Sequence, residues 1–259
     1  MDCIDSHAMV PSLLSIDTES AIANKILVTH TPTVLNAETS TTAILLMLAC
    51  YRNFLSCEQH ARSGAWRNKG PHPLTRSADH QTVGLLGMGR IGQAIAHKLK
   101  AFDCEVVYHS RSQNNNVPYN YYPSLVDMAH HVDCLICIVP GGVGTNHLVN
   151  EQVMNALGPQ GTLINVARGS VVDEQAMIQA LQDGRLGWAG LDVFENEPII
   201  PIELCTMNNV VLLPHVGSAT VETRAAMGAL TVDNILQHWK DGSVMTPIPE
   251  CQHMLPNNA

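Results

Sequence analysis

From Thr82 onward, short apolar runs alternate with stretches whose apolar positions recur every three or four residues. The runs are "TVGLL", "EVVYH", "CLICIVP", "GTLINVA", "GWAGLDV" and "VVLLP". Between them stand "RIGQAIAHKLKAF", "SLVDMAHH", "NEQVMNAL" and "DEQAMIQALQDG", in which Gly184 fits a helix C-cap. A continuous apolar run bounded by turn residues reads as a strand covered on both faces, and the three-to-four spacing reads as an amphipathic helix. Their alternation predicts βαβ units, and hence an α/β fold with a doubly wound parallel sheet.

The two ends of the chain fall outside this pattern. A long apolar helix is expected from about Thr39 to His60, capped by Asn36 or Thr39. "TVETRAAMGALTVDNILQHWKDG" reads as one C-terminal helix before a Pro-rich tail. The expected division is a remnant of a second domain at 1–36, a dinucleotide domain at 37–220, and a C-terminal helix and tail at 221–259. On this reading the second domain is truncated and built from both chain ends.

Composition narrows the partners. The chain has 259 residues, of which 46% are hydrophobic and only 4% aromatic, so its core must rest on aliphatic side chains. A formal charge of −9 disfavours nucleic acid and anionic membranes. The opening "MDCIDSHAMV" lacks the apolar core of a secretory leader, and no apolar run has the length of a membrane span. Of the eight cysteines, Cys134 and Cys137 form a C-x-x-C, but inside a strand, where residues three apart point to opposite faces. Reduced thiols, a cytoplasmic setting and no metal are therefore expected.

Gly87, Gly89 and Gly92 form G-x-G-x-x-G between the first strand and its helix, with Arg90 and Ile91 inside the motif. That context is what a dinucleotide needs. The first glycine allows a tight turn, the second a close approach of the pyrophosphate, and the third close helix–strand contact. The helix N-terminus adds free N–H groups for the phosphates. An NAD site would place an acid at the end of the second strand to hold the ribose 2′-OH. Here "HSRS" stands in that place, because Asp103 and Glu105 come too early. Arg111, flanked by Ser110 and Ser112, suits a 2′-phosphate, so NADP is the preferred cofactor, with NAD also possible.

Ligands of such sheets lie beyond the carboxyl ends of the strands. Arg168, Asp192, Glu197 and His215 all follow strands, and Pro140 and Ala167 also stand at strand ends as candidate cofactor contacts. An arginine, an acid and a histidine gathered there suit reduction of a 2-oxo acid. Arg168 would grip the carboxylate and polarise the carbonyl. His215 would give the carbonyl oxygen a proton, and Glu197 would fix its tautomer. Asp192 is placed to meet the nicotinamide amide.

With those residues in view, "GMGRIGQAIA", "INVARGSVVDE", "GLDVFENEP" and "LLPHVGSAT" resemble the D-isomer-specific 2-hydroxyacid dehydrogenases. Within that family the likeness is to the NADPH-dependent glyoxylate/hydroxypyruvate and hydroxyphenylpyruvate reductase branch. The resemblance runs from about Ile16 to Glu250. It implies Arg168, Glu197 and His215 as the catalytic set, Asp192 at the nicotinamide, and a homodimer joined partly through the long helix. The implied reaction gives a D-2-hydroxy acid from glyoxylate or hydroxypyruvate, with aromatic 2-oxo acids open. The family's N-terminal substrate-domain elements have no counterpart, and "MDCIDSHAMVPSLL" holds no glycine where the family has a carboxylate-binding loop. Ser40-Thr41 stands where the family has Ala and an acid, and "PLTRSADHQT" is an unusual lead-in to the first strand. These departures keep a second reading open, that of a non-catalytic NAD(P)-binding or dimerising protein.

Overall fold

The computed structural model describes residues 16–255. The opening stretch without leader character or carboxylate-binding glycines lies outside the described residues. Helices α1 (Thr18–Ala23), α2 (Asn36–Tyr51), α3 (Phe54–Arg62) and α4 (Ala65–Lys69) precede the sheet. Its strands are β1 (Thr82–Leu86), β2 (Glu105–His109), β3 (Asn120–Tyr121), β4 (Cys134–Cys137), β5 (Thr162–Asn165), β6 (Trp188–Leu191) and β7 (Val210–Leu212). Between strands run α5 (Arg90–Leu99), α6 (Leu125–His131), α7 (Glu151–Leu157), α8 (Glu174–Gln182) and α9 (Ile202–Thr206), and α10 (Val221–Asp241) follows the last. The chain divides into two compact units, one of residues 37–217 and one made from both chain ends.

In the larger unit all seven strands pair in parallel, in the order β3-β2-β1-β4-β5-β6-β7. Every carboxyl end therefore lies on one edge, and the order reverses between β1 and β4, the place where such sheets take ligands. The two faces carry separate cores because neighbouring strand residues point opposite ways. Leu135, Cys137 and Leu163 join Met128, Met154 and Leu181 from α6, α7 and α8. Leu85, Cys134, Ile136 and Ile164 join Leu46 and Met47 of α2 and Ile95 and Leu99 of α5 on the other side. Cys134 and Cys137 thus sit in different cores. Burial pushes both thiols up from their ordinary range.

Two elements differ from the sequence expectation. The helix expected over Thr39–His60 is two helices, broken at Arg52–Asn53. Asn53 adopts φ 43°, a left-handed conformation that asparagine tolerates better than most residues. The seventh strand, β3, is two residues long, too short for an alternation pattern to reveal. The unusual lead-in to β1 also has a physical reason. The Arg76 guanidinium lies 4.3 Å from the Tyr51 ring centroid and donates to Gln160 O (2.6 Å) and Thr162 Oγ1 (2.8 Å), tying this segment to the sheet.

The smaller unit joins the chain ends by backbone pairing. Thr29 and Pro247 form an antiparallel bridge, and Ile248 N donates to Val28 O at 3.0 Å. The Thr246 hydroxyl donates to His30 O at 2.6 Å and accepts from the Asn234 amide at 2.9 Å. Val28, Ile248 and Cys251 form a small core. Helix α10 is capped by the Thr220 hydroxyl at its start and ends on Gly242 at φ 77°. Among the described residues no helix is long and apolar enough to cross a membrane.

Candidate active site

The loops and the helix start beyond the carboxyl edge carry the residues assigned in the sequence to cofactor and substrate. Gly87 turns with φ 112°, and its N–H is anchored on His109 O at 2.9 Å. A Cβ at Gly92 would stand 2.3 Å from Gly87 O, so only glycine lets α5 come this close to the turn. A Cβ at Gly89 would meet nothing within 4 Å. The space above that residue is open, as the second glycine of a pyrophosphate cradle requires. Gly89 caps α5 without a side chain, leaving the N–H groups of Arg90, Ile91 and Gly92 for an anion. Beyond β2, Arg111 and Ser112 are exposed, and the Ser110 hydroxyl donates to Ser112 O at 2.8 Å. These residues fit a dinucleotide. Pro140 follows β4 on the same edge, and its carbonyl accepts from the Thr145 hydroxyl at 2.7 Å.

Beyond β5, the Asn165 side chain shapes the turn. Its Oδ1 accepts from Ala167 N at 3.0 Å, and its amide donates to Arg168 O at 2.9 Å. Arg168 also donates from a terminal guanidinium nitrogen to Ala167 O at 2.5 Å. Burial lowers its pKa from the ordinary arginine value, and the Glu197 carboxylate opposes that shift. An arginine stays charged throughout.

Glu197 and His215 form a close side-chain pair on this edge. Glu197 Oε2 lies 2.6 Å from His215 Nδ1, and Glu197 Oε1 accepts from Phe194 N at 3.0 Å. With Nδ1 engaged, Nε2 is the nitrogen left to act on a ligand. His215 sits at φ 53°, uncommon for a residue with a Cβ. The neighbouring backbone holds it there. Val216 N and Gly217 N donate to the two carboxylate oxygens of Asp192, at 2.8 and 2.7 Å. Asp192 is buried, and desolvation lifts its pKa against those two bonds and the His215 charge. It acts as a strut under the His215 loop. Asp192→Ala removes charge-assisted bonds to two N–H groups. It is expected to cost about 2–3 kcal/mol in urea unfolding and to lower kcat as the loop relaxes.

Two positioning groups were not legible from the sequence. One is Asn165, whose signal is an amide at the end of an otherwise apolar strand. The other is Glu195. Its Oε1 lies 2.7 Å from His147 Nε2, and its N–H donates to Glu174 Oε2 at 3.2 Å. Glu195 thereby ties the loops after β4 and β6 to the start of α8, two residues before Glu197. Burial also raises the pKa of Glu174. Among the described residues no three His, Cys, Asp or Glu side chains gather in a way that could hold a metal ion.

Comparison with known proteins covers most of the chain. Residues 44–217 match the family model described as D-isomer specific 2-hydroxyacid dehydrogenase, NAD binding domain. Glyoxylate/hydroxypyruvate reductase A of Arabidopsis thaliana is 48% identical over 233 residues, which are 90% of this chain and 74% of that protein. Hydroxyphenylpyruvate reductase of Plectranthus scutellarioides is 47% identical over 221 residues, 85% of this chain and 70% of that protein. Among solved structures, the NADPH-dependent glyoxylate/hydroxypyruvate reductase of Sinorhizobium meliloti, in complex with NADP and malonate, superposes with a TM-score of 0.91. It is 47% identical, and the match covers 96% of this chain and 78% of that one.

Proposed function

The chain belongs to the D-isomer specific 2-hydroxyacid dehydrogenases, a family of NAD(P)-dependent oxidoreductases, and from that premise we propose that it reduces glyoxylate or hydroxypyruvate with NADPH. The observation that carries the reading is the 2.6 Å pair of His215 and Glu197 on the same sheet edge as Arg168. A nicotinamide cofactor, its pyrophosphate held at the glycine cradle, would supply the hydride. Arg168 pairs with the substrate carboxylate and draws electron density from the adjacent carbonyl. His215 delivers a proton from Nε2 to the carbonyl oxygen, giving the hydroxyl of a 2-hydroxy acid, of D configuration where the oxo acid is hydroxypyruvate. Glu197 holds Nδ1 throughout and balances the imidazolium charge, and solvent then returns the proton to the ring. A relative crystallised with malonate, a small carboxylate, supports a ligand of this class.

Ser110, Arg111 and Ser112 bind the 2′-phosphate on this reading, with NAD a weaker alternative. The protein is a homodimer joined through the region of α2–α4, where Leu45, Phe54, Leu55 and Trp66 are each more than half exposed. It works in a reducing, cytoplasmic setting, in keeping with free thiols at Cys50, Cys57, Cys104 and Cys134. The test is oxidation of NADPH followed at 340 nm (about the nicotinamide maximum) with glyoxylate and with hydroxypyruvate. Turnover with either is the expected result. Tight NADPH binding with neither acid reduced would leave a dinucleotide-binding protein and discard the catalytic assignment.

A further inference from the structure

The residues that would read the 2′-phosphate sit on a loop whose shape has a specific origin. β2 and β3 are register partners, Tyr108 standing opposite Tyr121 with ring centroids 5.4 Å apart. Tyr108 is fully buried, yet its hydroxyl reaches the backbone six residues on. It accepts from Asn114 N at 2.9 Å and donates to Asn114 O at 3.3 Å. The Tyr121 hydroxyl donates to Ser110 O at 3.2 Å. Two neighbouring strands thus send one hydroxyl each to the two ends of a five-residue loop. Between the clamped ends stand Arg111, Ser112 and Gln113, all exposed. Inside the loop Ser110 Oγ donates to Ser112 O, and just past it Asn116 N donates to Asn114 Oδ1 at 3.0 Å.

We infer that Tyr108 and Tyr121 are positioning residues for cofactor choice: their hydroxyls fix the Ser110–Asn114 loop in the one shape from which Arg111 and Ser112 meet a 2′-phosphate, with the Ser110 hydroxyl bracing the loop from within. The inference rests on the NADPH reading given above and deepens it. Its physical basis is that planar, two-point recognition of phosphate by a guanidinium is sensitive to small displacements, whereas general attraction of charge is not. NADH offers this loop only neutral ribose hydroxyls, for which the guanidinium has no two-point contact. Loosening the loop therefore weakens NADPH binding selectively, while a merely structural role for the tyrosines would weaken both cofactors together.

The experiment is calorimetric titration of the full chain with NADPH and with NADH, for the wild type, Arg111→Ala, Tyr121→Phe and Tyr108→Phe. Reading dissociation constants makes the test independent of turnover. In Tyr121→Phe the NADPH:NADH affinity ratio is expected to fall about 5- to 10-fold, the usual effect of losing one hydrogen bond. Tyr108→Phe, which loses two, is expected to fall further if it folds. Tyr121 is only half-buried, so its variant keeps the test valid should the Tyr108 variant not fold. A wild type that prefers NADPH, loses the preference in Arg111→Ala and keeps it in Tyr121→Phe overturns the inference alone. A wild type with no preference for NADPH overturns the cofactor reading and the inference with it.

Discussion

His215→Asn is expected to lower the rate of 2-oxo acid reduction by about 10²- to 10⁴-fold, the range for loss of a positioned acid, with little change in cofactor affinity. Asparagine is the informative replacement because it tolerates the left-handed backbone that His215 adopts at φ 53°. Its amide can donate a hydrogen bond but cannot give up a proton near neutral pH. The site is a third exposed at the side chain, so packing losses are small. The loss should fall on kcat more than on KM, because the proton is transferred only as the carbonyl is reduced. A variant as fast as the wild type would remove His215 from the chemistry. Glu197→Gln gives a companion measurement. It is expected to give a smaller loss, since Gln still occupies the space and can bond one of the two partners of the carboxylate, His215 Nδ1 or Phe194 N.

Gly169→Ala is expected to be the most damaging single change to stability in the site. A Cβ there would lie 2.0 Å from both the carbonyl carbon and oxygen of Phe194 and 2.3 Å from Glu195 N. These are backbone atoms, so no side-chain rotation relieves the clash. Either the turn after Arg168 or the loop leading to Glu197 must move. Forcing backbone apart in a packed region costs about 3 kcal/mol, and here it separates the two charged groups proposed to share one substrate. Chemical denaturation should show the loss, and surviving folded protein should show a raised KM for the oxo acid. Gly228→Ala in α10 is the control. No atom lies within 4 Å of its added Cβ, and an alanine in a helix is worth about 0.5–1 kcal/mol over glycine. Equal stability losses in the two variants would refute the packing argument.

The parts of this architecture legible in the sequence are those encoded locally. The longer strands show themselves because a strand covered on both faces must be a continuous apolar run, as "CLICIVP" and "GTLINVA" are. The glycine cradle shows itself because three backbone requirements fall within six residues. The positions of Arg168, Glu197 and His215 just past strands follow from the same pattern. What stays hidden depends on partners distant in the chain. Glu195 gains its place from His147, 48 residues away, and Asp192 from N–H groups 24 and 25 residues on. The break after Tyr51 is hidden because one asparagine in an apolar run carries too weak a signal against the helical pattern around it.

The outermost strands β3 and β7 have only two and three residues, against four or five in the strands between them. Unpaired strand margins are where one molecule can template the stacking of another into fibrils, and short margins offer few amides to start from. The brevity that hides β3 from pattern reading thus serves colloidal behaviour. A crowded solution of this protein finds little open rail on either side along which copies could zip together.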